Sequence, residues 1–171
     1  MLSGIHFLLT YTCTYACDHC FLYCSPQAEG TFTIAQIREV LDEAVKLGSV
    51  KSTYFEGGEA FLYYPVLVKA VELARERGMS TGLVTNCYWA TSEEDAALWL
   101  GPLARLKLDD FTVSEDEFHG GTGEDTPPRR ALAAAAGLGM KAGSICLEDA
   151  APPQDEDQRG QPVTGNSPRY L

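Results

Sequence analysis

"LLTYTCTYACDHCFLYC", residues 8–24, sets an apolar, β-rich run directly against four cysteines, Cys13, Cys17, Cys20 and Cys24. Only Cys87 and Cys146 lie elsewhere in the chain. The run Ile5–Thr10 reads as a short buried strand that ends where the thiols begin. Working outward, Thr33 opens a capping box with Gln36, and Ile34, Ile37, Val40, Leu41, Ala44 and Val45 recur at helical spacing until Gly48. "VKSTYF" (Val50 to Phe55) reads as the second strand, followed at once by "EGGE". Pro65 sits near the start of the next helix, which Gly78 ends, and "STGLVT" (Ser80 to Thr85) is the third strand. Ser92 caps a helix whose first turn holds Glu93, Glu94 and Asp95, where carboxylates suit the helix dipole. "DDFTVS" gives a fourth strand, Thr126-Pro127 a fourth helix start, and "AGSICL" (Ala142 to Leu147) a fifth strand.

Strands alternating with helices of this length predict βαβ units and a parallel sheet, in an α/β fold. Five strands in this length fit either a TIM-like barrel or a doubly wound sheet. In both, functional residues gather where strands end. Those positions hold the cysteine cluster, Glu56 to Glu59, Thr85 to Cys87, Ser114 to Glu117, and Cys146 to Asp149. The polar and thiol-rich segments therefore converge on one rim. Residues 148–171 differ in character, with four prolines, two glycines and five acids and no periodicity, and read as an irregular tail. The expected organisation is a core over residues 1–147 followed by that tail.

Composition narrows the function. Apolar content of 45% and charged content of 22% are those of an ordinary soluble domain. "IHFLLTYT" is far short of a membrane span, and no basic n-region precedes it. The expected compartment is the cytoplasm, where clustered cysteines point to metal or redox chemistry rather than disulfides. A formal charge of −11 argues against nucleic acid or an anionic membrane as partner.

Cys13, Cys17 and Cys20 have C-x3-C-x2-C spacing. Three thiolates on one loop suit a [4Fe–4S] cube in which the fourth iron keeps an open position. Structural zinc with Cys24 or His19 as fourth ligand is a rival, as is an electron-transfer centre that uses Cys24.

The spacing resembles the radical SAM superfamily motif CxxxCxxC. "YFEGGEAF" resembles that family's GGEP element, with Gly57, Gly58 and Glu59 in place and Ala60 where proline is usual. "VTNC" and "TVSEDEFH" resemble its segments after the third and fourth strands. The resemblance covers roughly residues 5–147. It implies an enzyme with one [4Fe–4S] cluster on Cys13, Cys17 and Cys20 that binds S-adenosylmethionine (SAM) and forms a 5′-deoxyadenosyl radical to modify a substrate the sequence does not identify. The alternative is an iron–sulfur electron-transfer module without SAM chemistry. In the enzyme reading Gly57 and Gly58 allow close backbone approach, Glu59 accepts from the methionyl ammonium, and Thr85 and Ser114 supply hydroxyls. An external donor of flavodoxin or ferredoxin type is implied, because no flavin fingerprint is present.

The family barrel has six βα units, so five strands imply an incomplete (β/α)6 partial barrel whose fifth strand is an edge. The chain then reads as the N-terminal part of a longer protein. Cys24 reads more simply as a packed or free thiol than as a ligand, and Cys87 and Cys146, at two rim positions, read as facing the substrate or, more simply, as buried strand-end cysteines. His119 reads as an acid or base near substrate or, more simply, as a solvated loop residue. The seven acids between Asp109 and Asp125 likewise read as a solvated loop.

Overall fold

The computed structural model describes residues 1–119 and 123–146. The chain order is β1 (Gly4–Thr10), α1 (Ile34–Leu47), β2 (Ser52–Gly57), a 3-10 turn (Ala60–Tyr63), α2 (Tyr64–Glu76), β3 (Ser80–Thr85), α3 (Glu93–Arg105), β4 (Asp110–Ser114), a second 3-10 turn (Glu117–His119), α4 (Pro127–Gly137) and β5 (Ala142–Ile145). Leu147, the end of the predicted fifth strand, and residues 148–171 lie outside the described residues, so the expected tail and the question of a sixth strand do too.

Local chemistry explains the element ends. The Thr33–Gln36 capping box is formed, with both side chains bonded to the opposite backbone N–H, and Gly48 ends α1 in the left-handed conformation (φ 70°). Within α1, Ile37, Leu41 and Ala44 are buried, whereas Val40 and Val45 face solvent. The apolar stripe is therefore narrower than the sequence spacing implies. The second strand begins and ends two residues later than predicted, because Ser52 to Gly57 are the residues with partners on β1.

All five strands are parallel and lie in the order β1-β2-β3-β4-β5. A doubly wound sheet would reverse its order at a switch point, and this one does not. Right-handed crossovers of constant direction put all four helices on one face, and consecutive helices pack against one another. The result is a partial TIM-like barrel. Its core lies between sheet and helices, where Phe7, Leu9, Phe55, Leu83, Phe111 and Val113 meet Leu41, Leu67, Val71, Leu100 and Leu103. The alternate strand residues, among them Glu56, Val84 and Thr112, face the open concave side and are only partly buried. Among the described residues β5 is the last strand of the sheet, and all four of its residues are exposed.

The register of β1 shifts between Leu8 and Thr10, a bulge at the strand end. Beyond it the cysteine loop folds back on its own strand. Tyr11 N–H donates to Gly30 O (3.0 Å), Phe32 N–H to Leu9 O (2.9 Å) and Cys13 N–H to Ser25 O (3.0 Å). The thiols thus stand on a braced loop at the C-terminal rim of the sheet.

Candidate active site

A cavity of about 270 Å³ opens at that rim. Its walls include Cys13, Cys17, Cys20 and Cys24 from the cysteine loop, Gly57 and Gly58 after β2, Thr85 and Asn86 after β3, Ser114 and Asp116 after β4, and Cys146 after β5. Seven of the eight residues expected from sequence to hold cluster or cofactor therefore share one cavity. Glu59 is not among the residues lining it.

Each of the three motif sulfurs faces a nitrogen. Cys13 Sγ accepts from Tyr15 N–H (3.4 Å) and from Asn86 Nδ2 (3.5 Å), Cys20 Sγ accepts from Cys24 N–H (3.4 Å), and Cys17 Sγ lies 3.6 Å from His119 Nε2. Burial pushes the Cys17 thiol up to about 11, and the nearby Cys13 and Cys20 sulfurs add to the shift. Burial, then Cys20, pushes Cys24 up to about 12. Crowded sulfurs that resist ionisation alone, with N–H groups already directed at them, suit a cationic iron centre, which stabilises thiolates. The donor set fits a cluster. Cys17, His19 and His119 also place ligand atoms within 4.8 Å of one another, the spacing of donors around a single divalent ion, so zinc competes for Cys17.

The glycines are required by the approach of two strands. A Cβ on Gly58 would lie 2.2 Å from Thr12 O, and one on Gly57 2.5 Å from Thr10 O. Gly58 N–H bonds Thr10 O (2.7 Å) and Glu59 N–H bonds Thr12 O (2.9 Å), so the loop after β2 is joined to the segment that leads into Cys13.

Glu59 stands behind this wall, wholly buried. Its carboxylate accepts from Phe61 N–H (3.0 Å), Asn86 N–H (2.8 Å) and the Thr85 hydroxyl (2.9 Å), tying the β2 loop to the end of β3. Thr85 Oγ1 in turn receives Cys87 N–H and Trp89 Nε1–H, both at 3.1 Å. Thr85 lines the cavity, but its hydroxyl hydrogen is committed to Glu59. Ser114 is 9% exposed and lines the cavity at the end of β4.

Burial pushes the Glu59 carboxyl from 4.5 up to about 7, and its hydrogen bonds pull the other way. An acid whose pKa is raised on folding favours the folded state fully below its unfolded pKa, and that contribution is lost as pH rises through the folded value. Unfolding free energy is expected to fall by roughly 3 kcal/mol between pH 4.5 and 7. Glu59→Gln should flatten that slope, which urea titrations at several pH values would measure.

Cys87 is fully buried, and its hydroxyl-bonded backbone takes φ 61°; it packs rather than faces the cavity. Cys146 is exposed and lines it. The acidic stretch after α3 is not a simple solvated loop. Asp109 pairs with Arg75, Asp110 accepts from Tyr54 Oη (2.6 Å), Glu115 pairs with Arg129 and Asp125 with Arg130. His119 is not solvated either, because its side chain is 15% exposed and bonded to buried Asp116. Sequence reasoning passed over Asn86, whose side-chain amide joins Cys13 to Thr14. Its position one residue past β3 was the available signal.

The model of the radical SAM superfamily matches residues 7–146. A curated relative, the "Putative peptide biosynthesis protein YydG" of Bacillus subtilis (strain 168), is 29% identical over 107 residues. The match spans 63% of this chain and 34% of that protein. Among solved structures, BtrN in complex with AdoMet and 2-DOIA superposes with a TM-score of 0.63 at 17% identity, over 88% of this chain and 59% of that one. Native anSMEcpe with bound AdoMet gives 0.64 at 21% identity, over 85% and 43%. These structures share the fold. No helix among the described residues is long and apolar enough to cross a membrane. With the family model matching residues 7–146 of the chain, and the motif's cysteines and glycines gathered at one rim, the chain belongs to the radical SAM superfamily.

Proposed function

We propose that the chain is the SAM-cleaving core of an enzyme, with Cys13, Cys17 and Cys20 holding one [4Fe–4S] cluster. The observation that carries this reading is the cavity shared by the three sulfurs, Gly57, Gly58 and Ser114. When bound, the cluster supplies one electron to SAM, giving methionine and a 5′-deoxyadenosyl radical. The chain's own residues position the reactants. The backbone at Gly57 and Gly58 borders the methionyl end, with no side chain between it and the ligand. Glu59 holds that loop against β3 rather than meeting the ammonium itself. Ser114 offers its hydroxyl to the ribose.

The functional core is residues 1–147, and the electrons come from an external flavodoxin- or ferredoxin-type donor. Six cysteines with no disulfide among them fit a reducing cytoplasm. The chain spans about a third of the curated relative it matches, and that relative's name makes a peptide the first substrate class to assay. Among the described residues lining the cavity there is no Lys or Arg, so a neutral or cationic substrate suits it better than a phosphorylated one.

A second reading, an electron-transfer centre with four cysteine ligands, draws on Cys24, which lines the same cavity. Anaerobic reconstitution separates the two. With dithionite and SAM the enzyme reading expects 5′-deoxyadenosine and a reduced-cluster EPR spectrum that changes when SAM is added. No product, and a spectrum indifferent to SAM, would establish the electron-transfer reading. With SAM but no reductant, no 5′-deoxyadenosine should form.

A further inference from the structure

We propose that His119 is a positioning residue for the iron–sulfur centre: held by Asp116, its ring hydrogen-bonds the sulfur of Cys17 and raises the reduction potential. This rests on the reading of Cys17 as an iron ligand. The turn after β4 holds the ring in place. Asp116, 3% exposed, accepts from Phe118 N–H (3.0 Å) and from His119 Nδ1 (2.7 Å) through the same oxygen, while its carbonyl accepts from His119 N–H (3.1 Å). Backbone and ring of His119 are therefore both fixed by one residue.

The cysteine loop closes on the ring from the other side. Tyr15 and His19, two positions either side of Cys17, meet it edge-on at centroid distances of 5.9 and 5.3 Å, and His19 also packs on Phe118 at 4.5 Å. Between them Nε2 reaches Cys17 Sγ at 3.6 Å. Two aromatic rings and a buried carboxylate thus aim one nitrogen at one sulfur across 102 positions of sequence.

Cys17 is the sulfur that needs such a partner. Cys13 and Cys20 receive backbone N–H groups from their own loop. Among the described residues, the hydrogen-bond partners of Cys17 Sγ are the Phe118 carbonyl, at 3.7 Å, and His119. An iron-bound thiolate carries no hydrogen to give to a carbonyl, so only His119 can then form a bond, as N–H to sulfur. Each ring nitrogen faces one partner, Nδ1 the Asp116 carboxylate and Nε2 the Cys17 sulfur. Hydrogen bonds to cluster sulfurs are among the determinants of reduction potential, and outer-shell partners fix ligand orientation. A donor on sulfur draws off negative charge and favours the reduced state.

The test is an EPR-monitored redox titration of the reconstituted full chain and of His119→Ala, His119→Gln and Asp116→Asn, with iron and sulfide counted in each. The expected result is that His119→Ala keeps its cluster while its midpoint moves to a more negative potential. Gln, which carries an amide N–H, should recover most of the shift, and Asp116→Asn should move the same way by less. An unchanged midpoint in His119→Ala would overturn the proposal, and so would an equal shift in Ala and Gln, which would trace the effect to packing. Loss of iron in both His119 variants would make the residue a ligand instead, also overturning it. Failure of the unaltered chain to take up iron and sulfide would refute the cluster reading itself, and this proposal with it.

Discussion

Replacing Cys13, Cys17 or Cys20 by alanine is expected to abolish stable iron and sulfide uptake, whereas Cys24→Ala keeps it. The chain offers five thiols to one cavity, four of them on the cysteine loop, so proximity alone does not choose among those four. Ionisation does not choose either, since burial raises both Cys17 and Cys24. The surroundings of each sulfur do. Cys13 is bonded by Tyr15 N–H and Asn86, Cys20 by Cys24 N–H, and Cys17 meets His119. Cys24 instead contributes its backbone N–H to the Cys20 sulfur, which the Ala substitution retains. Losing one of three ligands leaves two thiolates for a cube of four irons, and the centre is not held. Iron and acid-labile sulfide per chain, measured after anaerobic reconstitution, decide the matter. A cluster that survives Cys13→Ala and disappears in Cys24→Ala would refute the assignment.

Gly58→Ala is expected to destabilise the chain by more than any conservative substitution in its core. The new methyl would stand 2.2 Å from Thr12 O and 2.7 Å from Thr12 C, both backbone atoms. No side-chain rotation relieves this, so β1's end must move away, breaking the bonds Gly58 N–H to Thr10 O and Glu59 N–H to Thr12 O. Overpacking of about 1–3 kcal/mol and two hydrogen bonds of about 1 kcal/mol each give roughly 3–5 kcal/mol. For a chain of this size the melting temperature should fall by roughly 6–20 °C. Because the displaced segment leads directly into Cys13, iron content should fall with it. Gly78→Ala provides the contrast, since Gly78, unlike Gly58, has positive φ (75°) and has nothing within 4 Å of the added carbon. Its cost should be the left-handed penalty alone, about 1–2 kcal/mol. Equal effects at the two positions would show that the approach of β1 to the β2 loop is not as close as described.

Helices and strands were legible because their signals are local. The Thr33–Gln36 box and Gly48 act within a few residues of α1, and Ser92 accepts from Asp95 N–H at the start of α3. The same holds for the three thiols, whose convergence follows from sharing one loop. Their common rim with Gly57, Gly58 and Ser114 followed from the alternation of strand and helix, which places every strand end on one side. What local pattern misjudged was solvation. A histidine in a run of acids reads as exposed, yet His119 is held between Asp116 and the cysteine loop. A glutamate beside two glycines carries no local sign of burial, yet Glu59 is fully buried among donors from its own turn and from the end of β3.

By itself, then, the sequence determined the α/β class, the four helices, the five parallel-type strands and the loop that carries the thiols. Each of these depends on periodicity, capping or spacing over short stretches of chain. Only the tertiary structure decided between barrel and doubly wound sheet, because strand order is a matter of which strands pair, and every βαβ unit looks alike along the chain. It also decided which polar groups face the cavity and which lie behind it. Burial and hydrogen-bond partners separated by dozens of residues, Glu59 with Asn86 and Cys17 with His119, exist only once the strands have taken their places.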